Sequence, residues 1–120
     1  MPKIHWMIGY NVREGKNKAY KAFLNSRGFR KLCAGVEAET GIKYVVTYFT
    51  ILPSSLEAGD YDAYDFWELP NHAAMDKIRK SETMARLAEA SFGFIESKPS
   101  KSVILRKASD VKIMFEPQKK

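Results

Sequence analysis

Cysteine is nearly absent from this 120-residue sequence, which carries only Cys33. One thiol closes no internal disulfide, and its Leu32-Cys33-Ala34 setting is that of a buried small hydrophobe. A reducing compartment, hence a cytoplasmic location, is the expectation. Histidine is scarce as well: His5 and His72 are the only two, and no Cys/His spacing suits zinc. A Gly-rich phosphate loop is missing. So is any run of about 18 uncharged apolar residues, and Met1-Pro2-Lys3-Ile4-His5-Trp6 opens no signal-peptide stretch. No membrane association is expected. Asp60, Asp62 and Asp65 have oxygen-ligand chemistry, but strand alternation sends Asp62 and Asp65 to opposite faces, which argues against a shared cation. Neither a metal nor a cofactor is expected.

What is present is enough apolar sequence for one core. A chain of this length builds a single domain without staples. We expect that domain over residues 1–116 and a basic tail over 117–120. The net charge of +6 is unevenly spread. Residues 1–43 hold nine Lys/Arg and three Asp/Glu, 44–96 four and nine, 97–120 seven and two. The first helical region and the tail are therefore basic, and the aromatic middle is acidic. Lysine-rich helix faces mostly serve solubility rather than a polyanion.

Residues 3–12 alternate, with Ile4, Trp6, Ile8, Tyr10 and Val12 on one side and His5, Met7, Gly9 and Asn11 on the other, the pattern of a strand. Arg13-Glu14-Gly15-Lys16-Asn17 breaks it, and a helical region follows from about Lys18 to Thr40. Tyr20, Phe23 and Leu24 form one apolar stripe there. Phe29, Leu32, Cys33 and Val36 form another about half a turn away at 100° per residue, which predicts a break near Ser26-Arg27-Gly28. Gly41 is the expected helix stop.

Ile42 to Leu52 is β-branched and aromatic and reads as a second strand. Its alternation puts Ile42, Tyr44, Val46 and Tyr48 on one side, Val45, Phe49 and Ile51 on the other. Pro53 to Gly59 has hairpin-loop composition, and Tyr61 to Leu69 resumes strand character, so these two strands should pair antiparallel. Asn71 is a reasonable cap for a second helical region. Along it Ala74, Ile78, Ser81, Ala85, Ala88 and Phe92 make one narrow stripe, and Ser81-Glu82 offers a second cap. Gly93 and Pro99 end the region; Ser102 to Arg106 is a fourth strand, Ala108-Ser109-Asp110 a turn, and Val111 to Phe115 a fifth strand.

The fold class that follows is α+β: a βαββαβ arrangement, ferredoxin-like, with an extra C-terminal strand. Both sheet faces are apolar, whereas an antiparallel sheet with one wet face shows a polar second side. The surplus face calls for a partner, and a second copy of the chain is the expected one.

The stretch Tyr64-Asp65-Phe66-Trp67-Glu68-Leu69-Pro70-Asn71-His72-Ala73-Ala74-Met75-Asp76, followed by Lys80-Ser81-Glu82, resembles the dimeric α/β-barrel superfamily, whose third strand ends in Trp-Glu before a helix and a Ser-acidic step. The resemblance spans nearly the whole chain and implies a homodimer joined through the sheet face. The superfamily includes heme-degrading and cofactor-independent monooxygenases, isomerases and decyclases. Where the heme-degrading branch has a strand Asn, a helical Trp and a helical His, this chain has Ile8, Ile78 and Ala88, so that activity is rejected. The cofactor-independent branch has a Trp near the end of the third strand and an Arg on the second helix, for which Trp67 and Arg86 are the candidates.

Among the residues themselves, His72 is the leading acid/base candidate: an imidazole suits proton transfer near neutrality, and it sits where a strand meets a helix. An idle first-turn histidine fits the same position. Trp67 and Tyr10 are candidate walls of a ligand pocket, since rings stack and a phenol adds a hydrogen bond, although core packing also accounts for them. Asn11 or Arg86 would orient a polar group. The reading is a dimer that binds or transforms a small apolar or aromatic molecule, as a monooxygenase or isomerase does. The alternative is a ligand-sensing or structural dimer with a filled core. An RNA-recognition role fits the topology, yet Asp62, Asp65 and Glu68 surround Tyr64 and Phe66 where cations would be needed, so nucleic acid is not the expected partner.

Overall fold

The computed structural model describes residues 3–51, 61–107 and 109. Its elements in chain order are β1 (Ile4–Val12), α1 (Asn17–Leu24), α2 (Arg27–Thr40), β2 (Lys43–Phe49), β3 (Ala63–Leu69), α3 (Ala74–Lys80), α4 (Glu82–Ser91) and β4 (Ile95–Arg106). The four strands make one sheet in the order β2-β3-β1-β4, every neighbouring pair antiparallel. This is the βαββαβ order expected, with each helical region split in two. The fifth strand expected at 111–115 and the basic tail lie outside the described residues, as does most of the β2–β3 connection.

Both splits have local causes. Ser26 adopts an extended conformation and its Oγ accepts the Phe29 backbone N–H at 3.1 Å, so it caps α2 where the apolar phase changes. Ser81 does the same for α4, accepting the Met84 N–H at 3.0 Å. Its extended backbone resets the helical phase, which corrects the single stripe expected across that region. Ala74 and Ile78 of α3 are buried, but in α4 the buried positions are Leu87 and Ser91, while Ala85 and Phe92 are exposed. Asn71 serves the entry to α3, its Oδ1 accepting the Ala74 N–H at 3.1 Å.

Gly41 ends α2 in the left-handed region at φ 79°, and a Cβ there would lie 3.1 Å from Pro70 Cγ. Gly41→Ala should therefore cost about 1–2 kcal/mol, from the left-handed strain and the Pro70 contact together. Urea unfolding checks it; an unchanged midpoint would show that the turn relaxes freely.

The alternation of β1 is as expected, with Ile4, Trp6, Tyr10 and Val12 buried. In β2 it is not. The register runs Tyr44 opposite Trp67, then Val46 opposite Phe66 and Thr47 opposite Asp65, so Val45 is an extra residue in a β-bulge. Tyr44, Thr47 and Phe49 consequently face the helices, and Val46 and Tyr48 face away. The fourth strand is also longer than expected. β4 starts at Ile95, and its pairing slips between Tyr10 opposite Ser100 and Val12 opposite Ile95. Pro99 stands in that slip, on an edge strand where a missing N–H costs no ladder bond.

The helices cover one sheet face, and two apolar clusters fill the space between. One gathers Trp6, Phe29, Val36, Ile42, Trp67 and Leu69. The other gathers Tyr10, Val12, Tyr20, Ala63 and Ile95. Ile8, Phe23 and Leu24 touch both. Where the clusters meet, the inward face of β3 carries not a hydrophobe but Asp65.

Candidate active site around Asp65

Asp65 takes its inward place because β3 alternates Ala63, Asp65, Trp67 and Leu69 toward the helices. Its Oδ1 accepts two hydroxyl hydrogen bonds, from Tyr10 at 2.6 Å and from Thr47 at 2.7 Å. The chain of hydroxyls continues on both sides. With their own protons given to Asp65, Tyr10 accepts from the Tyr20 hydroxyl at 2.6 Å and Thr47 accepts from the Tyr44 hydroxyl at 2.6 Å. Four hydroxyl side chains from β1, α1 and β2 are thus tied, directly or through one another, to one carboxyl oxygen. Oδ2 receives no hydrogen bond from the described residues.

Beside this group lies a cavity of about 150 Å³ between sheet and helices, lined among others by Ile8, Tyr10, Asp65, Trp67, Leu87 and Ala88. Asp65 keeps some accessible surface. Asp65 is among the residues lining the cavity, and protein packed around the carboxyl drives its pKa up to about 6 by desolvation, against the opposing influence of the Tyr10 and Thr47 hydrogen bonds and of the nearby Trp67 indole. Trp67 Nε1 favours the ionised carboxyl by its proximity. It makes no hydrogen bond of acceptable geometry, and it is the one buried side-chain polar atom without a partner among the described residues. The neighbours are held neutral: burial, then the charge of Asp65, pushes the Tyr10 and Tyr20 phenols far above their usual range. Burial pushes the Cys33 thiol up to about 12. A carboxyl whose pKa is raised toward neutrality beside a half-open cavity is equipped to accept and return a proton.

The residues singled out in the sequence are not all brought together here. Trp67, 2% exposed, and Tyr10, 3% exposed, both line the cavity. His72 is exposed in the turn before α3 and is not among the lining residues. Asn11 alternates to the outer face, where its Oδ1 accepts the Asp62 N–H at 3.1 Å. Arg86 is exposed on α4, and its charge acts on Glu39 of α2. Asp65 is the functional candidate that the sequence reading missed, since there it counts only as a cation ligand and as a charge unfavourable to RNA. The signal was available: a carboxylate in phase with Ala63, Trp67 and Leu69 has to enter the core. The same placement removes Asp65 from the outer face, where it had been counted against RNA; Glu68 remains there, paired with Lys3 at 3.0 Å.

No family model matches the sequence, and no curated protein matches it. Solved structures do. A dimeric protein of unknown function and ferredoxin-like fold from Bacteroides fragilis superposes with a TM-score of 0.58 at 10% identity, covering 88% of this chain and 96% of the other. A DABB family protein with a ferredoxin-like fold from Mesorhizobium loti gives 0.60 at 10% identity, over 89% and 98%. A NIPSNAP family protein from Agrobacterium tumefaciens gives 0.60 at 13% identity, over 92% and 90%. The fold is ferredoxin-like. These neighbours are consistent with the dimeric α/β-barrel resemblance of the β3–α3 stretch, and at such identities the likeness is one of fold. Among the described residues no helix is long and apolar enough to cross a membrane.

Proposed function

We propose that the chain works as a homodimer that binds one small, mainly apolar, ring-sized molecule between its sheet and α4, and that Asp65 moves a proton on it in an isomerase-like reaction. The observation that carries the reading is the desolvated Asp65 carboxyl among the lining residues of a largely apolar cavity between sheet and helices. A perturbed carboxyl beside an apolar cavity is the mark of a ligand site. A cavity of about 150 Å³ takes roughly one benzene-sized ring. Tyr10 and Trp67 form walls, and the proton-transfer role passes from His72 to Asp65. Isomerisation suits the site because it needs a proton acceptor and no oxidant.

Small aromatic compounds should raise the melting temperature of the wild type. Ala88→Phe, which fills the cavity from α4, should remove that shift while the protein stays folded, and His72→Ala should leave it intact. If no ring-sized compound shifts the wild type, a filled structural dimer is the correct reading.

Self-association is supported by the outer sheet face. Tyr48 is 60% exposed, and its ring meets Phe66 at 5.7 Å beside Val46 and Tyr64, with Met7 opposite Phe66 on β1. Such a patch on a lone chain wants cover. Phe66→Lys at its centre should weaken the dimer by roughly a hundredfold, the effect of removing an interface anchor. Analytical ultracentrifugation reads this out, and an unchanged dissociation constant would place the interface elsewhere.

A further inference from the structure

Asp65 can be reached from outside by two routes that lie on different sides of it. One is the half-open cavity under α4, which a bound ligand fills. The other is made of hydroxyls. Of its two branches, the one through Tyr10 ends at Tyr20, which is 2% exposed and packed among Phe23, Phe49 and Phe94. The branch through Thr47 does not end in the core. Thr47 and Tyr44 both line an open hollow of about 410 Å³ beside β2, the outer strand of the described sheet, with Lys21, Asn25 and Phe49. Neither is among the residues lining the ligand cavity.

We propose that Thr47 and Tyr44 form a proton relay that joins Asp65 to solvent beside β2 while a ligand closes the cavity. The relay rests on the proton-transfer reading of Asp65 above and supplies the route for its proton. Each donor points toward the carboxylate: Tyr44 O–H to Thr47 Oγ1 at 2.6 Å, and Thr47 O–H to Asp65 Oδ1 at 2.7 Å. As a proton enters, Oδ1 takes the Thr47 proton, Thr47 Oγ1 takes the Tyr44 proton, and the Tyr44 oxygen takes one from hydronium in the hollow, which leaves as water. Three O–H bonds break and three form, and both side chains are neutral before and after. The same step turns every donor round, so a chain that has brought a proton in is set to carry one out. Satisfying the carboxyl calls only for the inner hydroxyls of Tyr10 and Thr47; the outer link to Tyr44 adds a path to water. Tyr44 and Thr47 are three residues apart, and an even strand would turn one of them away. The bulge at Val45 brings both to the inner face.

The test follows the carboxyl itself, in the whole protein labelled with ¹³C at its aspartate carboxyls. Asp65 is identified by the signal lost in Asp65→Asn. At the midpoint measured for Asp65, this signal reads how fast the protonated and ionised forms exchange. With the cavity closed by Ala88→Phe, or by saturating benzene in the wild type, exchange should stay fast. Thr47→Val added to Ala88→Phe should slow it about a hundredfold and split the averaged signal, and Thr47→Ser should restore it. Tyr44→Phe keeps its ring against Phe29 and Trp67 and should slow exchange likewise, so the outcome does not hang on one variant folding. A hydroxyl with a merely structural role would move the midpoint or the stability and leave the rate at the midpoint alone. Exchange already slow once the cavity is closed, or as fast in Thr47→Val or Tyr44→Phe as in the parent, would overturn the relay. Failure of the ligand site shows separately, as the absence of any melting shift with ring-sized compounds.

Discussion

Asp65→Asn should be more stable than the wild type by about 1–3 kcal/mol at pH 8, and the difference should vanish near pH 4. The carboxyl has a pKa of about 6 in the folded chain against an ordinary value of 3.8. Below the lower value it is neutral in both states and costs nothing. Between the two values the folded form holds a proton that the unfolded form has released, so stability falls as pH rises and stays lower above about 6. Two pKa units correspond to about 3 kcal/mol at full development. An asparagine keeps the Oδ1 acceptor for Tyr10 and Thr47 and never ionises, but its amide lacks an acceptor, which offsets part of the gain. Urea titrations at pH 4, 6 and 8 and one fixed protomer concentration measure this. A wild-type minus variant difference that does not change with pH would show that the acid is not desolvated as described. The destabilisation has a functional sense, since groups kept at a cost to the fold concentrate in sites that do chemistry.

The second large effect concerns Trp67. Truncation to Ala should cost about 3–5 kcal/mol, while replacement by Phe should cost less than about 1 kcal/mol. The ring is 2% exposed and packs against Trp6 at 6.0 Å and edge-on against Tyr44 at 5.2 Å, so Ala leaves a hole in the larger cluster. Phe retains most of those contacts. It also deletes a buried N–H that has no partner, and relief of that desolvation offsets the lost volume. Chemical denaturation of both variants, with unchanged slope, provides the comparison. If Phe proved as costly as Ala, the indole N–H would have to be satisfied inside the protein.

The order of elements was legible because the apolar periods are regular wherever packing is simple. Tyr20 against Phe29 located the break in the first helical region, and Ser81-Glu82 announced the cap in the second. What stayed hidden depends on tertiary geometry. The stripe through Ala85 and Phe92 assumed an unbroken helix, but the extended Ser81 turned α4 so that Leu87 and Ser91 face inward. Pro99 read as a terminator because its place in an edge-strand slip is set by β1, not by local sequence. The site was legible in its walls, Trp67 and Tyr10, which are large and in phase with the core. The carboxyl between them was not, because polarity suggested solvent although the period of β3 pointed inside. The choice of His72 followed intrinsic pKa, whereas the environment of Asp65 supplies the near-neutral titration.

One inserted residue determines two surfaces at once. Were Val45 regularly paired and β2 evenly pleated from Phe49 back, Thr47 would still oppose Asp65, but Val45 would oppose Trp67 and Tyr44 would turn to the outer face opposite Glu68. Its phenol would leave the Thr47 hydroxyl it now meets at 2.6 Å, and the ring would leave Phe29, 4.9 Å away. Counted instead from the Tyr44 end, an even pleat would swing Thr47 outward and deliver Val46 to the acid. In neither frame do both halves of the strand serve. The extra backbone unit is a parity change, and it lets a single strand supply hydroxyls to the interior and grease to the exterior.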